Sequence, residues 1–216
     1  MGPAIAARTL ILAIAAVVAV ETLAIAAASN ADFSPVLITG VARLADIALL
    51  CVILLRSKEG MKGAGLAFGE VWAGVKKGLL WSLSFAAAAG LLFGLIYASG
   101  FDATSFLKIQ MPGSRAGIIQ IMVVGGIAAP VAEEIFFRGI LFGFFRRWGF
   151  PVALALSTLL FVAAHPLSLS FPFTQIVGGI VFAAAYEREK NLIIPVTIHS
   201  LGNVSLFALP FLKHLM

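Results

Sequence analysis

Long uncharged, apolar stretches occupy much of this chain and restrict it to folds that a lipid bilayer can hold. Residues 78–101 give 24 consecutive uncharged residues, 148–186 give 39 and 191–212 give 22. A membrane-spanning helix needs about 20 predominantly apolar residues. The 39-residue stretch therefore has room for two helices, divided near Pro166 and Pro172. Only 12% of the 216 residues are charged, against roughly 25% in soluble domains, so we expect an integral membrane protein.

The apolar pattern predicts an all-α fold, a polytopic transmembrane bundle of seven to eight helices. The count is a range because each of the last two segments has room for a further break. We expect one integral-membrane domain over residues 1–216, with a motif-bearing core at about 116–211. Helix ends are predicted to within about three residues, and the segments are 5–28, 36–55, 74–99, 116–146, 150–165, 173–186 and 191–211.

The first apolar segment resembles a signal peptide in part. Arg8 precedes it, and small residues at 26–31 resemble a cleavage site. The segment is longer than a usual signal-peptide core, however, and it contains Glu21. We therefore expect a retained first helix.

Lysine and arginine residues divide unevenly between the two predicted sides of the membrane. By the positive-inside rule, the richer side faces the cytoplasm, so we expect a bacterial inner membrane protein with a cytoplasmic N-terminus. The net charge of +5 then reflects contact with the lipid bilayer, and no nucleic-acid partner is expected. Ten basic residues lie on one side (Arg8, Arg56, Lys58, Lys62, Lys76, Lys77, Arg146, Arg147, Arg188, Lys190) and three on the other (Lys108, Arg115, Lys213).

Two other patterns are interpreted as structural. Arg43 and Asp46, three residues apart, predict an ion pair inside the bundle. The glycine pairs Gly139/Gly143 and 90/94 predict close helix packing within the chain rather than dimerisation.

Two adjacent glutamates stand out because they interrupt an apolar segment. Seventeen uncharged residues, 116–132, lead into Glu133 and Glu134, and Arg138 follows four residues after the second. A lone ionised side chain at a membrane centre costs about 2.5–3.5 kcal/mol on insertion scales, so three in six residues need a reason. Two more polar pairs lie in equally apolar surroundings, namely Phe161/His165 and His199/Asn203.

Helical geometry separates the two glutamates into unequal roles. Residues four apart share a helix face, so Glu134 and Arg138 can pair directly. Adjacent residues project about 100° apart, which leaves Glu133 facing another direction without a local partner. A carboxylate in that position is suited to act as a general base.

The histidines supply the remaining parts of a hydrolytic site. If three helices converge, Glu133 and His165 can hold and deprotonate a water molecule. His199 and Asn203, one turn apart, can then present N–H donors to a developing oxyanion. Such a site needs no serine or cysteine nucleophile.

Other uses of these residues stay open. Two histidines and a glutamate are a plausible zinc set, but an H-E-x-x-H pattern is absent and the charge of Arg138 disfavours a metal, so we expect no cofactor. The polar residues could instead only join helices, or bind a peptide in a non-catalytic immunity or binding protein. A proton-coupled transporter would usually show repeated halves, and none is found.

The three motifs together resemble a known family. E-E-x-x-x-R (Glu133, Glu134, Arg138), F-x-x-x-H (Phe161, His165) and H-x-x-x-N (His199, Asn203) resemble the CPBP family, which comprises the CAAX-prenyl type II endopeptidases and bacterial Abi-type proteins. The motifs occur in order, in separate predicted helices of the C-terminal part. The first hundred residues add only compatible hydrophobicity.

The resemblance implies an intramembrane endopeptidase of glutamic type. It implies that Glu133 and His165 activate water, that His199 and Asn203 form the oxyanion site, and that Glu134 and Arg138 support them. The substrate is expected to be a membrane-associated protein or peptide. Family members cleave prenylated tails in eukaryotes, and bacterial relatives serve in bacteriocin immunity, peptide maturation or sorting-signal processing.

Overall fold

The described part of the chain consists of helices joined by short turns and loops. The computed structural model describes residues 4–30, 34–100, 111–165 and 172–212, which contain helices and no strand. Within these ranges, five helices are long and apolar enough to cross a membrane by length and composition. The predicted polytopic all-α bundle is thus confirmed, and the chain is an integral membrane protein. The helices are α1 (Ala7–Asn30), α2 (Pro35–Arg56), the short α3 (Gly60–Gly63), α4 (Val71–Ala98), α5 (Arg115–Trp148), α6 (Phe150–Ala163), α7 (Phe173–Glu189) and α8 (Ile193–Leu212).

The 39-residue apolar stretch does not supply two full-length spans among the described residues. Helix α6 has 14 residues and is therefore about 21 Å long, against about 30 Å for the hydrocarbon core. Helix α7 has 17 residues. Helix α6 ends two residues before His165, which precedes Pro166, and the residue before a proline disfavours helical backbone. The predicted break at Pro166 itself lies outside the described residues, whereas Pro172 directly precedes α7.

Helix α5 lies at the centre of the bundle. It contacts α1, α2, α6, α7 and α8. Its residues Ile140 and Phe142 are almost fully buried, in the same apolar core as Leu50 and Leu54 of α2. Any polar side chain on the inner face of α5 is therefore removed from lipid as well as from bulk water.

Ion pairs tie together one end of the bundle. Lys77 Nζ lies 2.6 Å from a Glu189 carboxylate oxygen. Glu187 accepts hydrogen bonds from Arg146 at 2.7 and 2.8 Å and lies 2.7 Å from Lys190 Nζ. Basic residues that the loop count assigned to one side of the membrane thus meet at one end of the bundle.

The start of the chain is anchored at that same end. Glu59 accepts hydrogen bonds from the Ala6 amide and the Thr9 hydroxyl, and Arg147 donates to the Ile5 carbonyl. Burial alone would raise the pKa of the Glu59 carboxyl, but hydrogen bonds, including those from Thr9 and Ala6, outweigh it and hold that pKa below its ordinary value.

The loop before α4 docks on the turn between α7 and α8. Gly65, at φ +76°, approaches the Tyr186 ring so closely that a Cβ would stand 2.8 Å from it. Its carbonyl accepts from the Leu192 amide at 2.9 Å, and Asn191 donates to the Glu70 carbonyl at 3.3 Å. Glycine is needed here because both the backbone angle and the space exclude a side chain.

Within the described residues, the predicted ion pair is present, and the predicted close packing holds for one of the two glycine pairs. Arg43 lies 3.3 Å from the Asp46 carboxylate and also pairs with Glu21 of α1, a partner that the sequence did not predict. A Cβ on Gly139 would stand 3.2 Å from Ala64 of the same chain, and one on Gly143 would stand 2.9 Å from Ile5. This glycine pair therefore serves intramolecular packing. Residues 90 and 94 have no such neighbour within 4 Å.

Candidate active site

Two widened turns flank the glutamate pair in α5. The backbone is π-helical over Val124–Ala128 and again over Ile135–Phe142, with α-helical Ala129–Glu134 between them. A proline within a helix removes one donor and crowds the preceding turn, and Pro130 is the second residue after the first π-helical segment. π-Helical turns within α-helices are frequent at functional sites. Here they set the directions in which Glu133 and Glu134 project.

Glu134 has two partners on one oxygen. The predicted pair is present, with Arg138 Nη1 2.9 Å from Glu134 Oε1, and both side chains have no exposed surface. The same oxygen lies 2.8 Å from His199 Nδ1. A carboxylate only accepts, so Nδ1 of His199 carries the hydrogen. Glu134 thereby both neutralises Arg138 and orients His199, the second contact joining residues 65 positions apart in the chain.

Aromatic rings enclose the guanidinium and the imidazole. Arg138 Cζ lies 4.5 Å from the Phe161 ring centroid and 5.2 Å from that of Phe182. Phe182 also stacks on His199, at 4.6 Å between centroids and 22° between planes. Arg138 further donates to the Gly179 carbonyl at 3.3 Å. Sequence patterns marked Phe161 but missed Phe182 and Gly179, because no motif spacing links α7 to the glutamates.

Glu133 lies between the two histidines. Its Oε2 is 3.8 Å from Nε2 of His165 and 3.8 Å from Nε2 of His199. These distances exceed a hydrogen bond, and Oε2 is a buried oxygen without a hydrogen-bond partner among the described residues. The Glu133 side chain is 18% exposed and that of His165 is 27% exposed. The gap suits a bridging water molecule, which can be at hydrogen-bonding distance from both groups.

The hydrogen bonds at Nδ1 of His165 and His199, on the side of each ring away from Glu133, define the tautomers. His165 Nδ1 lies 2.8 Å from the Phe161 carbonyl oxygen, which only accepts, so this nitrogen carries the hydrogen. Nδ1 of His199 carries its hydrogen toward Glu134. When neutral, both rings therefore present an unprotonated Nε2 toward Glu133.

Asn203 follows His199 by one turn of α8. Its Nδ2 donates to the Gly125 carbonyl in the first π-helical segment of α5, at 2.8 Å. The amide has a second hydrogen, so this bond leaves one donor available. The predicted oxyanion donor is thus placed beside α5 and is anchored there by a carbonyl that the sequence patterns did not mark.

The formal charges of the site sum to −1 when both imidazoles are neutral. Glu133 and Glu134 contribute two negative charges and Arg138 one positive charge. The two carboxylates thus carry one negative charge more than Arg138 offsets, in a low-dielectric environment where an unpaired charge is costly.

Comparisons with known proteins match the region that carries these motifs. Residues 115–205 match the family described as "Type II CAAX prenyl endopeptidase Rce1-like". A Staphylococcus aureus (strain USA300) protein described as "Membrane-embedded CAAX protease MroQ" is 34% identical over 86 residues, 36% of this chain and 34% of that protein. A Bacillus subtilis (strain 168) protein described as "Putative membrane peptidase YdiL" is 31% identical over 84 residues, 38% of this chain and 34% of that protein.

The matches cover only part of each relative. An Escherichia coli protein described as "Uncharacterized 24.3 kDa protein" is 36% identical over 117 residues, 50% of this chain and 52% of that protein. The chain thus spans between about a third and a half of the length of these relatives. No solved structure matches it significantly. Over residues 115–205, the chain is therefore similar to the Rce1-like CAAX prenyl endopeptidases, the family that the three motifs resemble.

Proposed function

We propose that this protein is an intramembrane endopeptidase that hydrolyses a peptide bond in the tail of a membrane-associated protein or peptide. The observation that carries the proposal is the meeting of Glu133 Oε2 with the Nε2 atoms of His165 and His199, at 3.8 Å each, inside an apolar bundle. The match of residues 115–205 to the Rce1-like family and the named membrane peptidases among the relatives support it.

The proposed reaction begins with a water molecule between Glu133 and His165. Glu133 takes one proton while the water oxygen attacks the substrate carbonyl carbon, and His165 Nε2 accepts a hydrogen bond from the remaining O–H. A carbon–oxygen bond forms and the carbonyl electrons move onto the oxygen. General-base assistance of this kind contributes about 10²–10⁴-fold to rates.

The oxyanion needs N–H donors placed in advance. Protonated His199 supplies Nε2–H, and its Nδ1–H donates to Glu134, which stabilises the imidazolium. The second amide hydrogen of Asn203 supplies another donor. The carbon–nitrogen bond then breaks, Glu133 passes its proton to the leaving nitrogen, and the carboxylate is regenerated. Glu134 and Arg138 act through His199 and do not touch the substrate.

A peptide-cleavage assay tests the activity. The full chain in detergent is incubated with two quenched fluorescent peptides of identical tail sequence, one prenylated and one not. We expect cleavage at one internal bond, identified by mass spectrometry, and the ratio of the two rates reports whether a prenyl group contributes to recognition. If the peptide binds stoichiometrically but is not cleaved under any condition, the result would favour a non-catalytic binding or immunity protein instead.

The same assay separates the metal-free mechanism from its zinc-dependent alternative. Because the proposed steps use only protein groups and water, 1,10-phenanthroline is expected to leave the rate unchanged. If the chelator abolishes activity and added zinc restores it, the result would indicate that Glu133 and His165 bind a metal ion rather than activate water directly.

We also propose that the end of the bundle carrying Arg146, Lys77 and Lys190 faces the cytoplasm of a bacterial inner membrane. The ion pairs there gather the basic residues of the richer side, as the positive-inside rule expects. A reporter fused before residue 1 should then be active only as a cytoplasmic reporter, and periplasmic activity would reverse the orientation.

A further inference from the structure

One backbone carbonyl in α5 has lost both of its possible helical donors. In the π-helical segment, the Ala129 amide donates to the Val124 carbonyl, although in a regular α-helix it would donate to Gly125. The donor that a continued π-helical pattern would give Gly125 is the nitrogen of residue 130. That residue is Pro130, which has no N–H.

Small residues let α8 reach this carbonyl. A Cβ on Gly125 would stand 3.0 Å from the Phe207 ring, and one on Gly126 would stand 2.8 Å from Val204. The two helices therefore touch along the π-helical segment. At that contact, Asn203 Nδ2 donates to the Gly125 oxygen at 2.8 Å.

The hydrogen bond to the Gly125 carbonyl determines which way the Asn203 amide faces. An amide side chain can present either its oxygen or its nitrogen, but a carbonyl only accepts, so the contact with Gly125 fixes the nitrogen in place. The second N–H on the same nitrogen is then fixed as well. An unpaired backbone carbonyl inside a bilayer is costly, so the open carbonyl at Gly125 holds the amide in this orientation.

We propose that Pro130 is a positioning residue for Asn203. By withholding an N–H from α5, Pro130 keeps the Gly125 carbonyl open, and that carbonyl orients the Asn203 amide toward the site. The inference rests on the proposed function in one respect, the use of the second Asn203 N–H for the oxyanion. The orientation of the amide does not depend on that use.

Exchange of Pro130 for alanine tests the proposal because it returns a backbone donor to the helix. We expect Pro130→Ala to lower kcat by about tenfold or more, with KM little changed, since losing one oxyanion donor costs about 10²–10³-fold in kcat. Pro130→Ala should add no further loss to Asn203→Ala, because the two act on one group. The matched control is Pro210→Ala, which also returns an N–H to a helix interior and should keep the wild-type rate.

Thermal unfolding in detergent gives a readout that needs no activity. Asn203→Leu leaves the Gly125 carbonyl unpaired and should lower the unfolding midpoint by several degrees. Adding Pro130→Ala to that variant should recover much of the loss, whereas adding Pro210→Ala should not. If the midpoint recovers in this way but the wild-type chain cleaves no peptide, the result would support the positioning role of Pro130 and contradict the proposed function.

Two results would overturn the inference. One is that Pro130→Ala lowers kcat by the same factor in the Asn203→Ala variant as in the wild type. The other is an Asn203→Leu midpoint that Pro130→Ala leaves unchanged or lowers further. Either result would show that Pro130 acts on the fold independently of the Asn203 amide.

Discussion

Exchange of Glu133 for glutamine is expected to lower kcat by about 10²–10⁴-fold, the contribution of a positioned general base. Glutamine keeps the shape of the side chain but cannot take a proton from water. KM should change little, because the water rather than the substrate contacts this group in the proposed reaction. The peptide-cleavage assay with the full chain in detergent measures both constants.

The fold should not suffer from this exchange. Within the part of the chain that the structure describes, Glu133 Oε2 is buried without a hydrogen-bond partner, so a neutral amide removes a buried charge that no hydrogen bond there offsets. The unfolding midpoint of Glu133→Gln is expected to equal or exceed that of the wild type. Glu70→Gln, at an exposed position directly before α4, is the matched control and should retain full activity. A Glu133→Gln protein that cleaves at the wild-type rate would remove Glu133 from the mechanism.

Contacts between near neighbours in the chain were predictable from the sequence. The pairs Glu134–Arg138 and Arg43–Asp46 follow from helical spacing of four and three residues, and both occur. Helix positions were also predictable, since an uncharged run of sufficient length has few alternatives in a bilayer. The catalytic roles assigned to these residues stay predictions.

Contacts between distant helices could not be read from spacing. The bond from His199 to Glu134 joins two helices that the sequence could only assume to converge. The stacking of Phe182 on His199 depends on the rotation of α7, which no local pattern sets. Pro130 was visible in the sequence, but its effect depends on which carbonyl it deprives of a donor and on what α8 places there.

Exchange of Arg138 for methionine is expected to cause the largest loss of stability. Arg138 and Glu134 are fully buried, and removing one partner of a buried ion pair leaves the other charge uncompensated, at a cost of about 3–5 kcal/mol. The Glu134 carboxylate would retain only the hydrogen bond from His199. Thermal and denaturant unfolding in detergent measure the effect. Arg188→Met, whose side chain in α7 is 77% exposed, is the control and should unfold close to the wild type.

The double variant Glu134→Gln/Arg138→Met tests separately whether Glu134 serves to neutralise Arg138 or to orient His199. Removing both charges eliminates the buried uncompensated carboxylate, so most of the lost stability should return. The rate should stay low, because a neutral amide oxygen accepts from His199 Nδ1 but stabilises the imidazolium far less than a carboxylate does. Full recovery of kcat in the double variant would show that the pair only holds α5 to α7 and α8. A double variant as unstable as Arg138→Met alone would instead attribute the loss to the packing of the Arg138 guanidinium against Phe161 and Phe182, rather than to its ion pair with Glu134.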